Sequence, residues 1–464
     1  MQEETIAAVS TPRGKGGVAL LRVSGQDAVQ ICEKVFHPKN GKALAKQPAR
    51  TAVFGTIGMP EPDGGFTPVD EGLATTFYAP ASFTGENTVE ICCHGGILVT
   101  ETVLTAILSA GARPAEAGEF TKRAFLNGKL GLSAAEALAD LLEAQTREQL
   151  YLAHHGMQGV TGEKCRVIYE RLRHLLASVY VRIDYPDEDL ADLSKEELEK
   201  ECSACAESLR ALVATYRTGH AVAEGIRTVL CGRPNVGKSS IYNRLVGRDA
   251  AIVTEVEGTT RDVLSEVATL GRVTLHLFDT AGLRETNDTV EKIGVERARE
   301  ALEKAELILA VFDGSCAPTE EDRAFAEWLK RQSAPVIVLL NKSDLAENSE
   351  AQSFYRSTFA HIVSCSAKIG TGIEALSKLT EQLFLDGTLD FREDAVLTNA
   401  RQYAAAQRAL EQTERAVRAL RSGLPIDLCS RDIEEAMESL SELDGRGVSE
   451  ELVSEIFSHF CVGK

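Results

Sequence analysis

No stretch restricts the fold of this chain more than Gly232-Arg-Pro-Asn-Val-Gly237-Lys238-Ser239. It has the spacing GxxxxGK[ST], and its surroundings suit that pattern. Arg227-Thr-Val-Leu-Cys231 reads as a short buried strand before it, and Ser240-Ile-Tyr-Asn-Arg-Leu-Val246 as the start of a helix after it. The glycines let backbone N–H groups curl around a polyphosphate at a positively polarised helix N-terminus. Asn235, Val236, Gly237, Lys238, Ser239 and Ser240 are therefore the expected phosphate contacts. Lys238 neutralises the outer phosphates, and the Ser239 hydroxyl ligates Mg2+.

Segments further along select the base. The strand pattern Val273 to Phe278 ends in Asp279-Thr280-Ala281-Gly282, where a carboxylate serves the outer Mg2+ shell and a glycine N–H reports a γ-phosphate. A strand over Val336 to Leu340 ends in Asn341-Lys342-Ser343-Asp344. An aspartate there accepts from both guanine N1–H and the exocyclic amine; adenine lacks that donor pair and leaves a carboxylate unpaired. Ser366-Ala367-Lys368 follows the last short strand and braces the base from the other side. In this order the segments resemble a translation-factor-like GTPase domain, with GTP rather than ATP as the ligand.

Between the P-loop and Asp279 lies Ile252-Val-Thr254-Glu255-Val256-Glu257-Gly258-Thr259-Thr260-Arg261-Asp262. Its position marks a switch ordered by γ-phosphate, with Thr260 closing the Mg2+ shell. The residue after Gly282 is Leu283, which cannot polarise water, so the attacking water needs another group. Glu291, on the segment that follows, is the candidate.

The rest of the chain has three regimes. Residues 1–118 alternate short β-rich runs (Gly17–Val23, Thr51–Phe54, Leu73–Tyr78, Thr88–Cys92) with helical patterns near Asp27–Val35 and Ile97–Leu108, an α+β domain. Residues 119–221 and 385–464 are helical, Ser133-Ala-Ala-Glu136 reading as a capping box. Residues 222–384 form an α/β domain inserted between these two helical parts. The expected whole is α+β multidomain: an N-terminal α+β domain, an all-α domain and an inserted α/β P-loop GTPase domain.

With 50 Lys+Arg against 69 Asp+Glu among 464 residues the formal charge is −19, so the surface as a whole repels phosphate backbones. No apolar run reaches the ~18 residues of a membrane helix and the start lacks a secretory pattern, so the expected location is cytoplasmic. The 11 cysteines read as reduced thiols. Cys202 and Cys205 have CxxC spacing but sit in a helical stretch with no second CxxC, and read as core residues rather than a metal or redox site. Gly14-Lys-Gly16-Gly-Val-Ala19 fits a dinucleotide pattern, yet strand rather than helix follows it, and it is rejected.

The combination resembles the MnmE/TrmE family of tRNA-modification GTPases over the full length. The residues that carry this are Thr11-Pro-Arg-Gly-Lys-Gly-Gly17, Leu21-Arg-Val-Ser-Gly25, Ser82-Phe-Thr-Gly-Glu86, His94-Gly-Gly96, Gly118-Glu-Phe-Thr-Lys-Arg-Ala-Phe-Leu-Asn-Gly-Lys129, Gly258-Thr-Thr-Arg-Asp262 and the terminal Phe460-Cys-Val-Gly-Lys464. The resemblance implies an N-terminal domain that binds a tetrahydrofolate derivative (5-formyl or 5,10-methylene) and forms a homodimer. It also implies a heterotetramer with the FAD-dependent MnmG/GidA protein, which together adds an aminomethyl-type group, carboxymethylaminomethyl included, to C5 of a tRNA wobble uridine. Arg22, Glu90, Lys129 and Lys464 match the folate-contacting positions; cations with one carboxylate suit a glutamate tail and a pterin with donor edges. The resemblance further implies K+-stimulated hydrolysis, with Asn235, Thr254, the Val256 carbonyl and Thr259 around the ion and Glu291 activating water. Cys461 has two readings: a thiol made nucleophilic by nearby positive charge, or part of a tail that only packs. The alternatives are an assembly switch of the ribosome-maturation kind and a folate protein with a vestigial GTPase. Given the acidic surface, tRNA is expected to be held mainly by the partner protein.

Overall fold

The computed structural model describes residues 4–61, 65–184, 194–247, 266–279, 303–422 and 427–463. They form two compact units, one of residues 1–139, 157–169 and 437–464, the other of residues 140–156 and 170–436.

The first unit is built on a seven-stranded sheet of β1 (Ile6–Val9), β2 (Val18–Ser24), β3 (Phe36–Pro38), β4 (Val53–Pro60), β5 (Phe66–Phe77), β6 (Thr88–His94) and β7 (Arg113–Pro114), in the order β3-β4-β5-β6-β2-β1-β7. Only the β1–β7 pair is parallel. In β2 the buried Ala19, Leu21 and Val23 alternate with Leu20 and Arg22, so one face of the strand is core. Helices Ala28–Val35 and Ile97–Ser109 cover that face. β2 begins at Val18, inside the Gly14–Ala19 pattern, in keeping with the rejection of a dinucleotide loop there.

On the other face, Ala8, Arg22, Glu90 and Thr75 stand in register across β1, β2, β6 and β5. Helix Glu119–Leu126 lies against part of this face through Phe120, which packs with Ile6, Ala8 and Ala115. Its Arg123, 3% exposed, chelates Glu86 (Nη1 to Oε1 and Oε2, both 3.1 Å) and donates to Glu119 Oε1 at 2.9 Å. Burial works to raise the Glu119 carboxyl, but Arg113, the Glu116 amide and Arg123 outweigh it and hold it at about 2.

The same helix receives the C-terminal tail. Gly118 (φ +63) precedes it, and a Cβ there would stand 2.3 Å from the Phe457 carbonyl oxygen, so only glycine fits against helix Glu450–Ser458. Val462 bridges to Ala117, and Ser10 Oγ donates to the Gly463 carbonyl at 3.0 Å. The capping box at Ser133 is not formed. Helix Leu132–Glu143 starts one residue earlier, with the fully buried Leu132 inside it, and Ser133 Oγ donates instead to the Leu443 carbonyl at 2.6 Å. The Gly131 carbonyl opens the helix by accepting from Ala135 N–H at 3.0 Å.

The second unit carries a six-stranded sheet of β8 (Ile226–Gly232), β9 (Glu266–Leu270), β10 (Val273–Asp279), β11 (Leu307–Asp313), β12 (Val336–Asn341) and β13 (Ile362–Ser364), ordered β13-β12-β11-β8-β10-β9. All pairs are parallel except β9–β10. The run Leu307–Phe312 is buried throughout because β11 is covered on both faces. Leu307, Leu309 and Val311 enter one core; Ile308, Ala310 and Phe312 enter the other. Helices Lys195–Ala214 and Ala400–Arg421 pack together in this unit. Cys202 and Cys205 are buried in the first of them, and burial pushes their thiols up to about 12 and about 11. Among the described residues no cluster suited to a metal occurs, and none of the 11 cysteines is bound in a disulfide. No described helix is long and apolar enough to cross a membrane.

Candidate active site

β8 lies at the middle of its sheet, between β11 and β10, so the loop at its carboxyl end opens where neighbouring strands diverge. Gly232 ends the strand at φ +151, with the Val311 carbonyl oxygen 2.4 Å from where a Cβ would be. Asn235 adopts φ +66 and Gly237 φ +98, and the helix Lys238–Val246 begins at once. This curls the chain and directs the helix N-terminus, with its positive end, into the loop. Lys238 Nζ spans the loop to donate to the Arg233 carbonyl at 2.8 Å. Asn235, Ser239 and Ser240 are exposed at its mouth, whereas Val236 is buried beneath it.

Asn341 ties this loop to the base-selecting segments. It is 3% exposed; its Nδ2 donates to the Val236 carbonyl at 2.8 Å, and its Oδ1 accepts from Ala367 N–H at 3.0 Å. P-loop, β12 and the Ser366–Lys368 turn are thus held by one buried amide. Asp344 is exposed and accepts from Ser366 Oγ at 2.6 Å, a bond that is the main cause of its carboxyl lying below the ordinary value. Lys342, at φ +69, places Nζ 2.5 Å from Asp313 Oδ2. Burial tends to raise the Asp313 carboxyl, but Lys342 and Ser315 together hold it lower.

The structure brings together Asn235, Val236, Gly237, Lys238, Ser239, Ser240, Asn341, Lys342, Asp344, Ser366, Ala367 and Lys368 through these loops. Asp279 closes β10 in register with Leu230 of β8. Thr254, Glu255, Val256, Glu257, Gly258, Thr259, Thr260, Thr280, Ala281, Gly282, Leu283, Glu291 and Lys464 lie outside the described residues.

Three contributors escape the motif. Arg244 donates from Nε to the Ala367 carbonyl at 3.0 Å and from Nη2 to the Lys368 carbonyl at 2.8 Å, a second tie to the base side. Arg233 joins the loop to Glu321 at 2.8 Å and Asp322 at 3.1 Å. Asp313 holds Lys342. None had a signal: Arg233 occupies a variable position of GxxxxGK[ST], and Arg244 and Asp313 belong to no motif.

In the N-terminal unit Arg22 donates from Nε and Nη2 to Glu90 Oε1 at 3.0 and 2.8 Å, the two being direct cross-strand partners. The Arg22 guanidinium lies 5.1 Å from the Phe83 ring centroid and 5.7 Å from that of Phe120. The exposed Lys129 donates to the Pro80 carbonyl at 2.9 Å. Cys461 is exposed, and its carbonyl accepts from Gly118 N–H at 3.4 Å.

Residues 5–129 match the family model described as GTP-binding protein TrmE N-terminus, and residues 132–461 that described as MnmE helical domain. The tRNA modification GTPase MnmE of Symbiobacterium thermophilum is 43% identical over 467 residues, with 100% of each chain covered. The protein of the same description from Heliobacterium modesticaldum is 41% identical over 471 residues, again with 100% of each covered. Among solved structures, an Aquifex aeolicus Era variant bound to GDP.AlF4- is 25% identical, with a TM-score of 0.28 over 40% of this chain and 65% of that one.

Proposed function

The chain belongs to the MnmE/TrmE family of tRNA modification GTPases, and from that premise we propose that K+ stimulates its GTP hydrolysis and that it acts with an FAD-dependent MnmG/GidA partner. As a member it is a GTP hydrolase of tRNA modification, binding GTP with Mg2+. In the proposed reaction the pair adds an aminomethyl or carboxymethylaminomethyl group to C5 of the wobble uridine of certain tRNAs, in the cytoplasm. The observation that carries this is the identity of 43% over the whole length, which spans the N-terminal domain and the helices as well as the nucleotide site.

At the nucleotide site, Lys238 exchanges its bond to the Arg233 carbonyl for phosphate oxygens. Ser239 Oγ, exposed at the loop mouth, suits an Mg2+ ligand, and Thr260 is its proposed companion. Asp344 and Lys368 recognise guanine. Asn235, held at φ +66 with its side chain exposed at the phosphate end, suits a monovalent-cation ligand together with Thr254, Thr259 and the Val256 carbonyl. A cation there offsets charge developing during transfer, and Glu291 orients the attacking water.

In the N-terminal domain a tetrahydrofolate derivative supplies the one-carbon unit. On the sheet face away from helices Ala28–Val35 and Ile97–Ser109, Arg22, bonded to Glu90 and with its guanidinium near the Phe83 and Phe120 rings, fits such a ligand; Lys129 and Lys464 are the proposed further contacts. The exposed Phe54 and Leu73, paired across β4–β5 on this same face, support homodimerisation through the domain. Cys461, exposed on the docked tail, keeps both its chemical and its packing reading, and tRNA is held mainly by the partner.

GTP turnover by the full chain, measured in K+ and in Na+ at equal ionic strength, tests the hydrolytic half. We expect turnover at least about tenfold faster in K+, the scale of a charge-stabilising group in transfer. Equal rates would exclude the cation site.

A further inference from the structure

The N-terminal unit contains a basin of about 940 Å3, of whose lining only Lys129 has a role above. Its wall is formed by the turn after helix Glu119–Leu126 and by the starts of three helices, Leu132–Glu143, Val160–Asp184 and Glu450–Ser458. Four cations line it, Lys122, Lys129, Arg166 and Arg446, against the two carboxylates Glu163 and Glu450. Glu163 is taken by Arg166, from Nε at 2.8 Å and Nη2 at 2.6 Å. Lys122 and Lys129 rest on neutral oxygens, the Ser454 hydroxyl and the Pro80 carbonyl, both at 2.9 Å. Arg446 lies with its guanidinium 5.0 Å from the Tyr169 ring centroid. In a chain of charge −19 this is a local surplus of positive charge, reinforced by the positive ends of three helices.

We propose that this basin holds a single-stranded stretch of the tRNA substrate, an inference that rests on the tRNA-modification reading. Lys122 and Arg446 meet phosphates, and the half-buried Phe125 and exposed Leu126 offer bases an apolar wall. The volume far exceeds one phosphate group and is of the size that takes a nucleotide unit, about 300–1,000 Å3 for ligand sites generally. Chemistry at a base takes place on single-stranded or extruded nucleotides, so a contact selective for single strands suits the reaction. The basin adds a secondary hold to the main one on the partner.

The test is tRNA binding by the full chain, followed by fluorescence anisotropy across a salt series, for the wild type and the double variant Lys122→Gln/Arg446→Gln. We expect the variant to bind about tenfold more weakly, with the salt slope smaller by about two. RNA-free GTP turnover and the urea midpoint should both be unchanged, which shows that the variant is folded. A single-stranded anticodon-loop oligonucleotide should compete better than an RNA duplex of equal length. Unchanged affinity and salt slope, no tRNA binding by the wild-type chain, or equal competition by duplex would each overturn the proposal. If cells lacking the chain keep every wobble modification, the functional reading itself fails; if modification depends on the chain but the variant binds normally, only the basin is wrong.

Discussion

Replacing Asp344 by asparagine is expected to lower GTP affinity by about a thousandfold and to raise the affinity for xanthosine triphosphate. The Asp344 carboxyl is held ionised chiefly by Ser366, with Lys368 and Lys342 adding positive charge nearby, so it presents only acceptors. Guanine offers it N1–H and the exocyclic amine, two donors side by side. An asparagine keeps one acceptor but turns an N–H toward that amine, and two donors then face each other without compensation. Xanthine carries a carbonyl in place of the amine and accepts from the new N–H. Nucleotide competition on the purified chain measures both affinities. An unchanged preference for GTP would mean that the base sits elsewhere.

The second large effect is expected at Gly237. At φ +98 an added side chain is strained, and its Cβ would stand 2.1 Å from Asn341 Nδ2. Asn341 cannot yield freely, because its amide is the buried link between the Val236 carbonyl and Ala367 N–H. Moving it leaves buried groups unpaired in the P-loop and in the base loop together, each worth about 1–3 kcal/mol. Gly237→Ala should therefore lower nucleotide affinity by at least about a hundredfold and lower the urea midpoint. Asn341→Ala should reproduce part of both losses without backbone strain. A Gly237→Ala protein with normal affinity and midpoint would refute the bridge.

The nucleotide site was legible because its chemistry is written in contiguous stretches whose strand and helix context can be checked locally. The role of Asn341 was not. Within Asn341-Lys342-Ser343-Asp344 it reads as a base contact, and only the packing of β12 beside the P-loop shows that its amide joins two loops. In the N-terminal unit, β-rich runs pointed to β2, β4, β5 and β6, whereas β1, β3 and β7, of 4, 3 and 2 residues, are too short to hold a period. Those strands form because longer neighbours offer them hydrogen-bond partners. The Ser133 capping pattern failed for a related reason: burial of Leu132 draws the helix start forward, and a carbonyl 310 residues away takes the hydroxyl. The basin likewise brings together side chains as far apart as Lys122 and Arg446, a proximity no local pattern encodes.

The most direct test of the proposed function is mass analysis of tRNA wobble uridines from cells with and without this chain. Loss of the C5 aminomethyl-type modification in the cells that lack it, restored by the wild-type gene, is the expected result. An unaltered set of wobble uridines would contradict it.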